Sequence, residues 1–194
     1  GRFPRLAFSR AEAEAITSLV PRSRTRTALD FSANRTAARR EEIGDASIVH
    51  FATHGVVNPA QPELSGLVLS LVDASGRPQE GFLRLHDIYR LHLRADLVVL
   101  SACRSAVGRD FKGEGPMALT RGFLVAGAPR VVATLWDVDD RATAELMRLF
   151  YEGVLTRREA PAAALRSAQT AMSRIPRWSA PYFWAGFTVT GEWR

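Results

Sequence analysis

The sequence contains a single cysteine, Cys103, among 194 residues. One thiol forms no disulfide within the chain and builds no multi-cysteine metal site, which is typical of a reducing compartment. No apolar run approaches the 18 residues of a transmembrane helix, and no secretory signal opens the chain. We therefore expect a cytoplasmic globular protein. Because the sequence starts at Gly1 without a methionine, we also expect it to be the C-terminal part of a longer chain.

Lysine is almost absent, because Lys112 is the one lysine among the 26 basic residues and the others are arginines. This arginine bias is typical of a GC-rich, bacterial coding sequence. The formal net charge of +6 raises the question of nucleic-acid binding, but the arginines are spread along the chain without interleaved aromatics or a nucleic-acid motif. Nucleic acid is therefore not predicted as a direct ligand. The 46% of hydrophobic residues is enough for one globular core.

Apolar runs and turn residues alternate along the chain in a way that predicts both helices and strands. The pattern predicts helices over 9–19, 32–43, 85–89, 116–126 and 160–175, with one more helix capped by Asp139 or Asp140. Ser9 and Glu12 have the spacing of a capping box at the first of these helices. Strands are predicted at 22–29, 47–52, 64–71, 82–83, 96–101, 130–135 and 187–189. The alternation predicts one α/β domain with a mostly parallel sheet and helices on both faces.

Two of the predicted strands are followed at once by a residue capable of catalysis. His54 and Gly55 come after the run 48–52 and are predicted in a loop. Cys103 comes after the run 97–100 and is followed by a second predicted loop over 104–115. Runs of this kind are typical of strands buried on both faces of a parallel sheet. Open α/β sheets carry their reactive groups at the carboxyl ends of such strands. His54 and Cys103 therefore form a candidate base and nucleophile.

The other histidines are weaker candidates. His50 lies inside a predicted strand and is interpreted as a core histidine, while His86 and His92 have no reactive partner nearby in sequence. The glycine after His54 allows close approach of a substrate backbone. No acidic third member is evident, and a backbone carbonyl is as good a candidate as a carboxylate for the group that orients His54.

Several spaced motifs, in order, resemble the CHAT domain, a caspase-like family of cysteine peptidases in the clan of caspases and separase. The similar stretches cover nearly the whole chain and are 10–15, 50–55, 100–103, 113–116, 127–136 and 181–187. The resemblance implies a caspase-like three-layer sandwich with a mostly parallel central sheet and helices on both faces. It also implies a catalytic dyad of His54 and Cys103. The backbone N–H groups of Gly55 and Cys103 are then the expected donors to the oxyanion.

The stretch 136–140, at the end of the third core strand, is similar to the part of separase that helps to bind the side chain before the cut. Trp136 and Asp137 are therefore substrate-binding candidates. The acids of this stretch suit a helix N-terminus equally well. Of the three, Asp139 and Asp140 are the better caps and Asp137 is the better pocket residue.

The function predicted from these observations is a cysteine endopeptidase that acts on a protein substrate through a thioester. This chemistry needs no metal and no organic cofactor. The family resemblance implies control by an upstream sensor or tetratricopeptide-type region, in the same chain or in a partner, and no membrane partner is expected. The alternative is a catalytically dormant regulatory or interaction module of a signalling or defence protein.

Overall fold

The computed structural model describes residues 3–58, 61–101, 103–106 and 115–192, with only the backbone at 62, 103–106, 115 and 116. The strands are β1 (Ile48–Phe51), β2 (His54–Val57), β3 (Gly66–Val68), β4 (Phe82–Arg84), β5 (Leu97–Leu100), β6 (Cys103–Ala106), β7 (Arg130–Thr134) and β8 (Phe187–Gly191). The helices are α1 (Ser9–Thr17), α2 (Arg35–Ala38), α3 (Glu41–Gly44), α4 (Leu85–Ile88), α5 (Gly115–Val125), α6 (Asp140–Tyr151) and α7 (Pro161–Ser173). A π-helical turn at Glu152–Thr156 continues α6, and 3₁₀ turns lie at Arg22–Arg24, Asp30–Ser32, Pro62–Leu64, Pro176–Trp178 and Pro181–Phe183.

Within these described ranges the strands form two sheets. The first has the order β1-β5-β7-β8, in which β1, β5 and β7 are parallel and β8 runs antiparallel at the edge. The second has the order β4-β3-β2-β6, with antiparallel pairs except for β2 and β6, which are parallel. The fold is therefore mixed α/β with a mostly parallel sheet, as the alternation of apolar runs predicted.

The chain passes directly from the first sheet to the second at two places. Phe51 ends β1 and His54 begins β2, while Leu100 ends β5 and Cys103 begins β6. Phe51 and Leu100 are register partners in the first sheet, and His54 and Cys103 are register partners in the second. The pairing of β1 with β5 therefore continues into the pairing of β2 with β6.

Alternate residues of β5 belong to two different apolar clusters. Val98 packs in a cluster with Phe123 of α5, whereas Val99 packs in a cluster with Leu146 of α6 and Leu165 of α7. Successive side chains of a strand point to opposite faces. The apolar run 97–100 is consequently buried on both faces, which is why it lacks polar alternation.

The structure has the predicted cap at the start of α6 and the predicted glycine at the end of α5. The Asp139 side chain accepts a hydrogen bond of 2.8 Å from the amide of Ala142 and caps α6. Gly127 follows α5 with φ of +114°, where a Cβ would stand 2.3 Å from the carbonyl oxygen of Leu93. Glycine adopts this backbone conformation without steric cost.

The capping box predicted at the first helix is wrong. Phe8 occupies the N-cap position without a side-chain cap, and the Ser9 hydroxyl donates to the carbonyl of Leu6. Glu12 faces the protein interior instead of the helix N-terminus and is only 2% exposed. Its Oε1 lies 2.9 Å from Nε2 of His50, so the carboxylate faces this imidazole instead of the backbone N–H groups of α1.

Three further predictions differ from the structure. The predicted edge strand 22–29 is a 3₁₀ turn and unpaired chain, because its alternating Arg, Ser and Thr residues offer no apolar face to bury. The predicted helix 32–43 is divided into α2 and α3 at the extended backbone of Arg40. The predicted loops at 54–55 and 104–106 are strands, because β2 and β6 pair with each other. Residues 107–114 of the predicted loop lie outside the described residues, and Gly115, predicted as its last residue, begins α5.

A buried ion pair fastens α2 to α4. The Arg35 guanidinium donates from Nε to Oδ2 of Asp87 at 3.0 Å and from Nη2 to Oδ1 at 2.7 Å. The amide of Arg84 donates to the same carboxylate at 3.1 Å. Burial alone would raise the pKa of Asp87, but the hydrogen bonds from Arg35 and Arg84 outweigh it and the pKa lies below its ordinary value. The carboxylate is thus held in its ionised form.

Candidate active site

His54 is the first residue of β2 and is buried, with 8% of its surface exposed. Its Nε2 lies 2.6 Å from the carbonyl oxygen of Pro4, in the segment that precedes α1. The Phe3 ring lies against the imidazole at a centroid distance of 5.7 Å. A backbone carbonyl therefore orients His54, which is one of the two possibilities that the sequence left open.

The contact with Pro4 determines which ring nitrogen of His54 carries the proton. A carbonyl oxygen only accepts, so Nε2 must be the donor. In the neutral ring the lone pair then resides on Nδ1. Among the described residues, this buried nitrogen has no hydrogen-bond partner. The geometry leaves Nδ1 available to take a proton.

Cys103 is the first residue of β6, directly beside His54 in register. Neighbouring strands lie about 4.8 Å apart, so the two backbones bring a thiol-bearing and an imidazole-bearing residue to adjacent positions. Cys103 also follows the end of β5 by three residues, at the carboxyl edge of the parallel strands.

Gly55 lies inside a sheet rather than in a loop. Its register partners are Leu67 on β3 and Arg104 on β6, so strands flank it on both sides. Its backbone is buried at the position next to His54. The oxyanion role of the Gly55 and Cys103 amides stays a prediction.

Asp140 adds a negative charge near the imidazole. Its Oδ2 accepts a hydrogen bond of 2.7 Å from the amide of Phe8, so it binds the segment that also carries Pro4. Burial raises the pKa of Asp140 above its ordinary value, and the carboxylates of Glu12 and Asp139 add to this effect. The Phe8 amide and the His54 charge act in the opposite direction. Asp140 thus joins the N-terminal segment to the surroundings of His54 and does not cap α6.

Trp136 and Asp137 follow the end of β7. The Trp136 indole donates from Nε1 to the carbonyl of Tyr182 at 3.0 Å, and its ring packs against Gly186 so closely that a Cβ there would stand 2.8 Å from Cε2. Asp137 is exposed. Asp139 takes the capping position, so Asp137 is not the N-cap of α6. Substrate binding by Trp136 and Asp137 stays a prediction.

His50 is partly buried, with 15% of its side chain exposed, and it lies close to two polar groups. Its Nε2 is 2.9 Å from Oε1 of Glu12, and its Nδ1 is 3.0 Å from the hydroxyl of Tyr151. Sequence reasoning missed Glu12, Tyr151, Asp140 and the carbonyl of Pro4 as neighbours of the two histidines. The carbonyl has no side-chain signature, and the other three come from distant parts of the chain.

No group of three or more His, Cys, Asp or Glu side chains that could hold a metal occurs within the part of the chain that the structure describes. No helix among those residues is long and apolar enough to cross a membrane. The groups that the structure brings together at the candidate site are the imidazole of His54, the carbonyl of Pro4 and the backbone of Cys103.

Comparison with protein families gives a match to the CHAT domain over residues 1–192. The chain belongs to the CHAT domain family. CHAT domains are related to the caspase-like cysteine peptidases. Tetratricopeptide repeat protein 28 of mouse is 38% identical to this CHAT domain over 114 residues, which are 59% of the chain and 5% of the mouse protein. The human protein of the same name is 35% identical over 114 residues, again 59% of the chain and 4% of the relative. The CHAT domain therefore spans a small part of these curated relatives.

Proposed function

We propose that this CHAT domain is a cysteine endopeptidase in which Cys103 is the nucleophile and His54 is the general base. The observation that carries the proposal is the register pairing of His54 with Cys103 on two parallel strands. The hydrogen bond from Nε2 to Pro4 supports it, because it leaves Nδ1 to act as the base. We further propose the three-layer, caspase-like sandwich as the complete architecture.

The proposed reaction begins when Nδ1 of His54 takes the proton of the Cys103 thiol. The thiolate attacks the carbonyl carbon of the peptide bond and forms a tetrahedral oxyanion. Collapse of this intermediate breaks the C–N bond, and the proton on Nδ1 passes to the leaving amine. A water molecule, deprotonated by His54, then hydrolyses the thioester and restores the thiol. The Pro4 carbonyl favours the transient imidazolium by accepting from its Nε2–H.

The proposed substrate is a protein with a basic residue before the cleaved bond. Asp137 is exposed and comes three residues after the end of β7. The parallel strands β1 and β5 lead to His54 and Cys103 at the same, carboxyl edge of the sheet. A carboxylate within about 4–6 Å of a cation favours its charged form. We propose Trp136 as the wall of the same pocket, held by its contacts with Tyr182 and Gly186.

The test is a peptide-library cleavage profile combined with thiol-probe labelling of the wild-type chain, Cys103→Ala and His54→Ala. His86→Ala serves as the matched control, because His86 is exposed and distant in sequence from the proposed dyad. We expect cleavage and labelling by the wild type and the control, and loss of cleavage in the two dyad variants. Proteolysis by a folded Cys103→Ala protein at the wild-type rate would refute the proposal.

The second candidate is a dormant regulatory module, and the observation that favours it is the name of the relatives, which are tetratricopeptide repeat proteins. For the case in which the chain is an active peptidase, we propose that it is the C-terminal part of a longer cytoplasmic protein and is controlled by an upstream region. Turnover per active site should then be lower for the isolated chain than for the complete protein. A wild-type chain whose Cys103 neither labels nor cleaves, alone or within the complete protein, would favour the dormant module.

A further inference from the structure

A buried polar contact lies four residues before His54, and the proposed reaction does not use it. Oε1 of Glu12 is 2.9 Å from Nε2 of His50, at ion-pair distance, and Glu12 is only 2% exposed. On the other side of the ring, Nδ1 of His50 is 3.0 Å from the Tyr151 hydroxyl. Burial, and to a lesser degree the Glu12 carboxylate, raises the pKa of Tyr151 well above its ordinary value. The phenol therefore keeps its proton and lies within hydrogen-bond distance of Nδ1. Nε2 of His50 and Oε1 of Glu12 are in electrostatic contact but are not aligned for a hydrogen bond.

Glu12 is the one buried residue of α1. A carboxylate removed from water is costly unless a polar group compensates for the lost hydration. The apolar residue Ile16 of the same helix is only partly buried against the core. The helix α1 packs on α6, and the contact between Glu12 and His50 adds a polar link from α1 to β1.

The segment that precedes α1 contacts His54, the proposed base, through the carbonyl of Pro4. The Phe8 amide donates to Asp140 at 2.7 Å, and four residues earlier the Pro4 carbonyl accepts from His54 at 2.6 Å. Only seven residues lie between Pro4 and Glu12, so the segment is held by contacts near both of its ends. A shift of α1 would move the carbonyl on which the proton position of His54 depends.

We propose that Glu12 is a positioning residue for His54. Its contact with His50 fixes α1, and α1 in turn holds the Pro4 carbonyl that keeps His54 protonated on Nε2. The catalytic consequence rests on the proposed function, whereas the tautomer of His54 can be measured without any turnover.

The test compares Glu12→Gln with Glu14→Gln. The first variant keeps the size of the buried side chain and removes its charge, while the second removes an exposed charge from the same helix. Each protein is labelled with ¹⁵N-histidine, and the ring signals of His54 are assigned by comparison with His54→Ala. The ¹⁵N shifts of the two ring nitrogens report the tautomer directly, and kcat and KM are measured on the best peptide substrate.

We expect His54 of the wild type and of Glu14→Gln to be a single Nε2–H tautomer. In Glu12→Gln the Nδ1–H form should become populated, and kcat should fall roughly ten- to a hundred-fold at unchanged KM, because a small misplacement of a reacting group has effects of this size. The proposal would be overturned if Glu12→Gln lowered the thermal stability but left the His54 tautomer and kcat as in the wild type. Glu12 would then have only a structural role.

A second variant covers the case in which Glu12→Gln does not fold. His50→Gln removes the same contact from the side of β1 and should shift the His54 tautomer in the same direction. An unchanged His54 spectrum in folded His50→Gln would equally contradict the proposal. If the wild-type chain shows no thiol-dependent cleavage, the proposed function fails, and the ¹⁵N shifts still decide whether Glu12 positions His54.

Discussion

His54 and Cys103 lie side by side as register partners on two parallel strands, although 48 residues separate them in sequence. Both strands continue from neighbours in the first sheet, where Phe51 and Leu100 are partners. The distance between the two backbones is therefore set by the spacing of strands, about 4.8 Å. The residues proposed as base and nucleophile are therefore brought together by strand pairing and need no flexible loop to meet.

The first prediction concerns the dependence of the two residues on each other. If His54 and Cys103 act as one unit, the double variant His54→Ala/Cys103→Ala should cleave no more slowly than either single variant, because either loss removes the whole mechanism. Single-turnover cleavage of a fluorogenic peptide measures the three rates. Additive losses would mean that the two residues act independently and would contradict the dyad.

The second prediction concerns Asp137. Asp137→Asn should weaken the preference for a basic residue before the cut, since the attraction between carboxylate and cation is lost, while cleavage of neutral peptides continues. Asp139→Asn is the control, because an asparagine still caps α6. The measurement is the library profile of each variant, and an unchanged profile in Asp137→Asn would remove this residue from the pocket.

The third prediction uses the close packing of Trp136 on Gly186. A Cβ at position 186 would stand 2.8 Å from the indole, and the indole is tethered by its hydrogen bond to Tyr182. Gly186→Ala should displace the ring and change the substrate profile. Because Gly186 has no other proposed role, a profile identical to that of the wild type in a folded variant would argue against Trp136 as a pocket wall.

The fourth prediction concerns helix capping. Asp139→Ala removes the acceptor for the amide of Ala142 and should lower the free energy of unfolding by about 0.5–2 kcal/mol. Urea unfolding followed by circular dichroism gives this value. The substrate profile should stay as in the wild type, since the side chain acts on the end of α6.

The fifth prediction concerns acid stability. The pKa of Asp87 is lower in the folded protein than its ordinary value of 3.8, so its ionisation stabilises the fold above about pH 4. This contribution should be lost as the pH falls through the folded pKa. Asp87→Asn should lower the free energy of unfolding at pH 7 by about 1–3 kcal/mol and weaken its decline in acid.

The matched control for Asp87 is Asp45→Asn. Asp45 and Arg94 are both largely exposed, with side-chain exposures of 71% and 84%. An exposed ion pair contributes about 0–1 kcal/mol, so this variant should unfold almost as the wild type does. An equal decrease in the free energy of unfolding in the two variants would show that the ion pair of Arg35 with Asp87 stabilises the fold no more than an exposed pair does.

The sequence was sufficient for the central strands and for most of the helices. The apolar run 97–100 and the Gly127 position have physical causes that can be seen locally: burial on both faces and a left-handed backbone. The cap at Asp139 is equally local, because its partner is three residues away. Features of this kind depend on neighbours in the chain and can be predicted from it.

The surroundings of His54 could not be predicted in the same way. Pro4 acts through a carbonyl oxygen that every residue possesses, so its contact with His54 has no signature in the sequence. The pattern of Ser9 and Glu12 satisfies a capping rule, yet Glu12 is drawn inward by His50, 38 residues away. A tertiary contact at this sequence separation therefore determines whether the Glu12 side chain caps α1 or faces the interior.

The two short passages from β1 to β2 and from β5 to β6 also bear on how such a domain can evolve. The spacing of the proposed base and nucleophile is inherited from the packing of the strands, so insertions elsewhere leave it unchanged. Longer surface loops add little free-energy cost and are where binding residues usually lie. Loops outside the two strand pairs can therefore vary in length and sequence while His54 and Cys103 stay in register.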